Sequence, residues 1–263
     1  MAGLPRPIIT LLTDFGTADG YVAEMKGVLL SLAPDAHLVD ISHEVPPQDV
    51  MRARLTVSRY WRRFPPCTVH LVVVDPGVGT ARAALAVASE GRFLVGPDNG
   101  VLSAAIGADH ARVVDLDVPG GASPTFHGRD VFAPAAARLA HGEPLDILGR
   151  THRRSVMLHT PVPVRAESGG ITGEIIAIDR FGNAITNIDR RLLEKFADGR
   201  SIAIAVAGHD IPRIVATYAE APARELCALF GSTDHLEIAI NAGDAATALG
   251  LSRGAAATVR LVR

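Results

Sequence analysis

The sequence predicts an α/β protein with a mainly parallel sheet flanked by helices, followed by a smaller domain built from short strands. Two patterns carry this reading. In the first 160 residues, apolar β-type runs alternate with segments of helical periodicity, which implies parallel strands covered on both faces. Beyond them, β-type runs follow one another closely, as in a compact sandwich or small barrel. Composition permits both. Hydrophobic residues make up 48% of 263 and charged residues 21%, so a sizeable core is available. Aromatics are only 5%, so that core must be built from Val, Ile, Leu and Ala.

Residues 8–12 read as a buried strand ending at Thr13-Asp14-Phe15-Gly16. Residues 21–32 carry apolar positions at helical spacing, closed by Pro34. A strand at 37–41 follows, then a helix over 48–60 introduced by Pro46-Pro47. The β-branched run 68–74 stops abruptly at Asp75-Pro76-Gly77. Residues 84–89 and 92–95 could form a hairpin around Glu90-Gly91; a short helix at 99–106, a strand at 112–116 and a helix at 130–140 are expected to complete this half. The stretch 151–170, rich in Arg, Pro and Ser, reads as a domain connection, dividing the chain into 1–160 and 161–263. Strands are expected at 171–178, 184–188, 201–206, 211–215, 236–240 and 257–262.

Charge and cysteine content exclude several classes. Net charge is -2, without the basic excess of a nucleic-acid footprint; the Arg-rich stretches 59–63 and 150–154 read as solvated faces. Cys67 and Cys227 are far apart and lack metal-ligand spacing, which favours a reducing cytoplasm over a disulfide framework. Residues 1–7 lack the basic-then-apolar pattern of a signal peptide. No apolar run approaches the roughly 18 to 20 residues that span a bilayer. A cytoplasmic protein without membrane contact is expected.

Ligands of open α/β sheets bind beyond the carboxyl ends of strands. Asp14, Asp75 and Asp179 stand at such ends, each with glycine close behind. One such Asp is more often a turn cap than a catalyst; three together shift the balance towards function. Gly77-Val78-Gly79-Thr80-Ala81-Arg82 has Arg in place of the last glycine of a dinucleotide fingerprint and follows the third strand, so a nicotinamide site is disfavoured. Thr125-Phe126-His127-Gly128-Arg129-Asp130 sets a histidine directly before a helix, where it could be acid, base or water-orienting group, or a surface residue without a role. The ten histidines show no zinc spacing and no serine lies in a nucleophile elbow, so neither a metal nor a covalent intermediate is expected.

Seven segments in order resemble the S-adenosyl-L-methionine (SAM) hydroxide adenosyltransferases and their fluorinase and chlorinase relatives. They are Leu12-Thr13-Asp14-Phe15-Gly16, Asp40-Ile41-Ser42-His43 with Val45-Pro46-Pro47-Gln48-Asp49-Val50, Val74-Asp75-Pro76-Gly77-Val78-Gly79, Gly96-Pro97-Asp98-Asn99-Gly100, the His127 segment, Asp179-Arg180-Phe181-Gly182-Asn183, and Leu236-Glu237-Ile238-Ala239-Ile240-Asn241.

The resemblance implies an α/β domain followed by a β-barrel. It also implies a homotrimer whose site lies between one subunit's first domain and a neighbour's second. It implies cleavage of SAM by water at C5′, giving adenosine and methionine, with SAM as substrate and no cofactor. Asp75, Arg82 and His127 match the set that holds and activates water. Asp14 matches the ribose clamp; Asp19, Asp179 and Ser232 match the methionine end; Phe181, Asn183 and the backbone at Asn241 and Ala242 match the adenine side.

The halogenating relatives carry Tyr where Asp75 stands and Tyr-Ser where His127-Gly128 stands, and have an extra loop absent here. A halide needs an apolar, dehydrating pocket, and Asp75 would repel it. Thr233 and Gln48 depart from the halogenase pattern, which has Arg and Trp there, so the methionine contacts are less firmly matched than the catalytic set. A non-catalytic adenosyl-ligand binding protein and a nucleoside-cleaving enzyme are the rival classes; adenosine against adenine as product separates the latter.

Overall fold

The run Ile8–Thr13 forms β1, with Ile9 and Leu11 packed on one face of a sheet and Leu12 on the other. That two-sided burial explains why the run is apolar without alternation. In this computed structural model residues 6–166 and 169–262 are described, and the chain divides into two units between His159 and Thr160. Residues 1–5 of the segment 1–7, expected to carry no signal peptide, and residues 167–168 of the expected connection lie outside the described residues.

In the first unit β1 is followed by α1 (Tyr21–Leu32), β2 (His37–Ser42), α2 (Val50–Tyr60), β3 (Val69–Val73), β4 (Ala84–Ser89), β5 (Arg92–Pro97), α3 (Ser103–Ile106), β6 (Arg112–Leu116), α4 (Ala133–Ala140) and β7 (Gly149–Thr151). The sheet order is β2-β1-β3-β5-β4-β6-β7. Pairing is parallel from β2 to β5 and antiparallel from β5 to β7. One apolar layer joins Met25 and Leu29 of α1, the alanines of α4 and Val69, Leu71 and Val73 of β3. The opposite layer joins Ala53 and Val57 of α2, Trp61, Val72 and Val74. Leu71 is fully buried, so truncation to Ala would cost about 2–5 kcal/mol.

Local chemistry sets several boundaries. α2 begins at Val50, later than the periodicity suggested, because Gln48 takes a left-handed φ of 66° and the Asp49 carboxylate caps Arg52 N at 2.9 Å. Glu90 and Gly91 both have positive φ, as a two-residue hairpin turn requires. The helix expected over 130–140 is a π-helical turn at Gly128–Phe132 leading into α4, with Pro134 in its first turn.

The second unit contains β8 (Val164–Arg165), β9 (Ile171–Ile178), β10 (Ala184–Asp189), α5 (Arg190–Ala197), β11 (Ile202–Val206), β12 (His209–Ile211), β13 (Leu226–Phe230), β14 (His235–Ile240), α6 (Ala245–Leu249) and β15 (Ala256–Leu261). Its antiparallel order is β12-β11-β15-β9-β10-β14-β13, with β8 on β9. Ile214, beyond β12, bridges Ala228 on β13, so the sheet ends meet in a nearly closed barrel. The strand expected at 211–215 ends at Ile211, because Pro212 has no N–H to continue the ladder. Among the described residues no helix is long and apolar enough to cross a membrane.

Candidate functional site

β1 and β3 are parallel neighbours at the point where the strand order reverses, with Thr13 paired to Val73. Chain direction therefore carries Asp14 and Asp75 out of the same sheet edge, in the crevice where open α/β sheets bind ligands. The loop after β1 is pinned to the end of β2. Thr13 Oγ1 lies 2.9 Å from His43 Nδ1, and Gly16 N donates to the His43 carbonyl at 2.8 Å. Asp14 accepts a hydrogen bond from Gln48 N at 2.7 Å through one carboxylate oxygen.

Asp75 is gripped by Arg82, which returns to it from the far side of the glycine loop. Arg82 Nε donates to Asp75 Oδ1 at 3.0 Å, and Nη2 donates to Oδ2. The same Nη2 lies 2.9 Å from His127 Nδ1. The Asp75 and Arg82 side chains are only 5% and 10% exposed, so their attraction is little screened by water. Arg82 also packs 5.2 Å from the Phe132 ring centre. The three residues that sequence comparison joined are thus brought together from three separated segments.

An arginine can only donate, so His127 Nδ1 accepts and the ring proton resides on Nε2. Burial first, and the Arg82 charge second, hold the His127 imidazole below its ordinary range; Asp75 and Asp130 act in the opposite sense. His127 is placed by the π-helical turn that follows it. A β carbon on Gly128 would lie 3.2 Å from Met25 Sδ and 3.3 Å from Val73, leaving little room for a larger residue. Asn99, from the Gly96–Gly100 segment, donates to the Val74 carbonyl at 2.8 Å and accepts from Val101 N, bracing the peptide next to Asp75.

In the second unit a cavity of about 550 Å³ is lined by Asp179, Phe181, Asn183, Tyr218, Ile240, Ala242 and Gly243. Asp179 Oδ1 accepts from the backbone N–H groups of Phe181 and Asn183, both at 2.9 Å, which folds 179–183 into a tight loop. That loop presents the Phe181 ring 75% exposed, an apolar face available for stacking. Tyr218 was not expected from sequence. Its hydroxyl donates to Glu237 Oε2 at 3.1 Å and lies 3.4 Å from Asn183 Nδ2. Burial, the Glu237 charge and that hydrogen bond push the phenol up to about 12.

The remaining expected residues are placed differently. Asp19 stands exposed on the loop before α1, and Ser232 stands exposed on the β13–β14 turn. Asn241 directs its side chain to the Ala221 carbonyl at 2.7 Å, so it braces a loop beside the cavity. Glu237 carried a usable signal, since a carboxylate inside an apolar strand needs a partner; Tyr218 lies in a short turn with no such mark. Among the described residues no cluster of three or more His, Cys, Asp or Glu is gathered as metal ligands.

The model of the SAM hydroxide adenosyltransferase N-terminal domain matches residues 9–149, and that of the C-terminal domain matches 173–258. The chain is 42% identical to an (R)-S-adenosyl-L-methionine hydrolase from Salinispora tropica, covering 95% of this chain and 96% of that one. It is 41% identical to a protein of the same name from Thermus thermophilus, over 95% and 97%. A fluorinase from an Actinoplanes species is 31% identical over 97% of each chain. The crystal structure of an uncharacterized conserved protein from Thermotoga maritima superposes with a TM-score of 0.88 at 35% identity, covering 95% and 99% of the two chains.

Proposed function

The chain belongs to the SAM hydroxide adenosyltransferase family, and from that membership we propose that it hydrolyses (R)-S-adenosyl-L-methionine to adenosine and L-methionine with Asp75, Arg82 and His127 handling the water. One observation carries the assignment of roles: Arg82 binds Asp75 and His127 at once through a guanidinium largely withdrawn from solvent.

The substrate sulfonium is already an activated leaving group. Water attacks C5′ in line with the C5′–S bond, and the bonding pair departs with sulfur as the neutral thioether of methionine. No metal, cofactor or covalent nucleophile is required for that step. The protein must instead hold one water in line and take its proton. The neutral His127 donates Nε2–H to the water and orients it. Asp75, the anion of the group, accepts the proton, and Arg82 stabilises the negative charge that develops on oxygen. Asp14 clamps the ribose hydroxyls, while Asp19 and Ser232 contact the methionine end. Phe181 stacks on the adenine, and Asn183 and the backbone at Asn241 and Ala242 meet its polar edge, with Asp179 fixing the loop that presents them.

A cytoplasmic homotrimer completes the reading, with the triad of one subunit facing the cavity of a neighbour. Two unpaired cysteines suit a reducing compartment, and the family resemblance supports the trimer.

Chromatography of the purified protein incubated with each sulfonium epimer of SAM, with and without Asp75→Ala, tests the proposal. Adenosine and methionine formed together from the (R) epimer, and lost in the variant, are expected. Binding without turnover would overturn the hydrolase reading in favour of a non-catalytic binding protein, and adenine as product would indicate a nucleoside-cleaving enzyme.

A further inference from the structure

The cavity of the second unit contains an amide whose orientation is dictated by its neighbours. Asn183 Nδ2 lies 3.0 Å from Asp179 Oδ2 and 3.4 Å from the Tyr218 hydroxyl. A carboxylate only accepts hydrogen bonds, so Asp179 demands the NH2 end of the amide. Glu237, 6% exposed in the middle of β14, makes the same demand on Tyr218. The phenol proton therefore points at Glu237, and a lone pair is left facing Asn183. Both Nδ2 hydrogens are thereby engaged. The amide oxygen accepts no side-chain or backbone hydrogen bond among the described residues. Reversing the amide would set oxygen against the Asp179 carboxylate and against the phenol lone pair. The orientation thus follows from the partners and does not depend on how nitrogen and oxygen are told apart.

We propose that Asp179 and the Tyr218–Glu237 pair are positioning residues that lock the Asn183 amide with its oxygen toward the cavity, so that the site selects a 6-amino purine over its 6-oxo counterpart. This deepens the substrate reading above and rests on it. A 6-amino group offers the N–H that the amide oxygen needs; a 6-oxo group meets it with a second acceptor. Once the base has displaced water from that oxygen, leaving it opposed by a second acceptor is costly enough to decide between the two bases.

The test compares the affinities of the full-length protein for adenosine and inosine by calorimetry, in wild type, Tyr218→Phe and Asp179→Asn. Wild type should bind adenosine about 10- to 100-fold more tightly. In Asp179→Asn the new side-chain oxygen stays with the Phe181 and Asn183 N–H groups, which places its NH2 against Asn183 Nδ2. Two donors cannot face each other, so the Asn183 amide turns over. The adenosine-to-inosine ratio should then fall to about one or below it, by the loss of that same discrimination. Tyr218→Phe, which leaves Asp179 in place, should lower the ratio only partway. A folding defect lowers both affinities together and does not move the ratio.

An Asp179→Asn ratio equal to wild type overturns the inference. So does a wild type that fails to discriminate; if that protein still turns SAM over, the hydrolase reading stands without the amide lock. Absence of both nucleoside binding and SAM turnover overturns the two together.

Discussion

A β carbon on Gly79 would lie 2.4 Å from the carbonyl oxygen of Pro124, so the loop that leads from Asp75 to Arg82 touches the backbone leading to His127. Gly79 also has a φ of +75°, which other residues adopt only with strain. Gly79→Ala must push the two loops apart. A stability loss of about 2 kcal/mol or more is expected from the strain and the clash. Turnover should fall further than the loss of folded protein explains, with the KM for SAM much less affected. Steady-state kinetics combined with chemical unfolding checks this.

Arg82→Lys keeps the charge but replaces a planar fork by a point donor. One ammonium cannot reproduce two parallel bonds to Asp75 and a third to His127. We expect kcat to drop by about 100-fold or more. A kcat within a few-fold of wild type would show that the fork is dispensable.

In the proposed reaction His127 is the neutral imidazole, whose Nδ1 accepts from Arg82. Burial and the arginine charge lower its pKa from 6.5, so activity should persist below pH 6.5 and fail only as pH drops through the lowered value. On the alkaline side this residue imposes no limit. The acid limb of kcat/KM should move or vanish in His127→Asn, measured against the residual rate.

His70 gives a separate acid signature, in stability. It is fully buried, bonded to Thr10 Oγ1 at 2.8 Å, and burial lowers its pKa from 6.5 to about 4. Between those values the unfolded chain binds a proton that the folded chain refuses. Stability is therefore fully present above pH 6.5 and declines as pH falls towards 4, by roughly 3 kcal/mol from this group. Urea unfolding at pH 7 and pH 4.5 should show the decline, and His70→Leu should flatten it.

Asn99→Ala removes the bonds to the Val74 carbonyl and from Val101 N. Leaving a buried carbonyl unpaired should cost about 1–3 kcal/mol of stability. A kcat reduced beyond the folded fraction, with unchanged KM, would mark the residue as bracing Asp75.

Strand-and-helix alternation in the first half was legible because each element buries apolar side chains on a fixed period. α1 and β6 fall where the pattern placed them. β13, Leu-Cys-Ala-Leu-Phe, is hard to read from sequence because its run is short and its neighbours are polar. α5 is equally hard to read because eight residues give barely two turns of periodicity; its start depends on Asp189 capping Leu192 N at 2.8 Å. In the candidate site, loops marked by glycine are legible in the sequence, and plain segments are not. Asp75 and His127 announce themselves through the glycines beside them. Tyr218 matters only because β14 delivers Glu237 to its hydroxyl, a meeting of residues 19 positions apart that no local pattern encodes.

Since a single guanidinium serves both Asp75 and His127, the three side chains form one cooperative element and not three separate contributions. Removing any of them should loosen the other two, so the losses from double and triple substitutions should fall far short of their sum. If the three side chains act as proposed, the activity should respond steeply to the loss of any one of them. On the proposed roles, one substitution at Arg82 should forfeit most of what the three side chains contribute together.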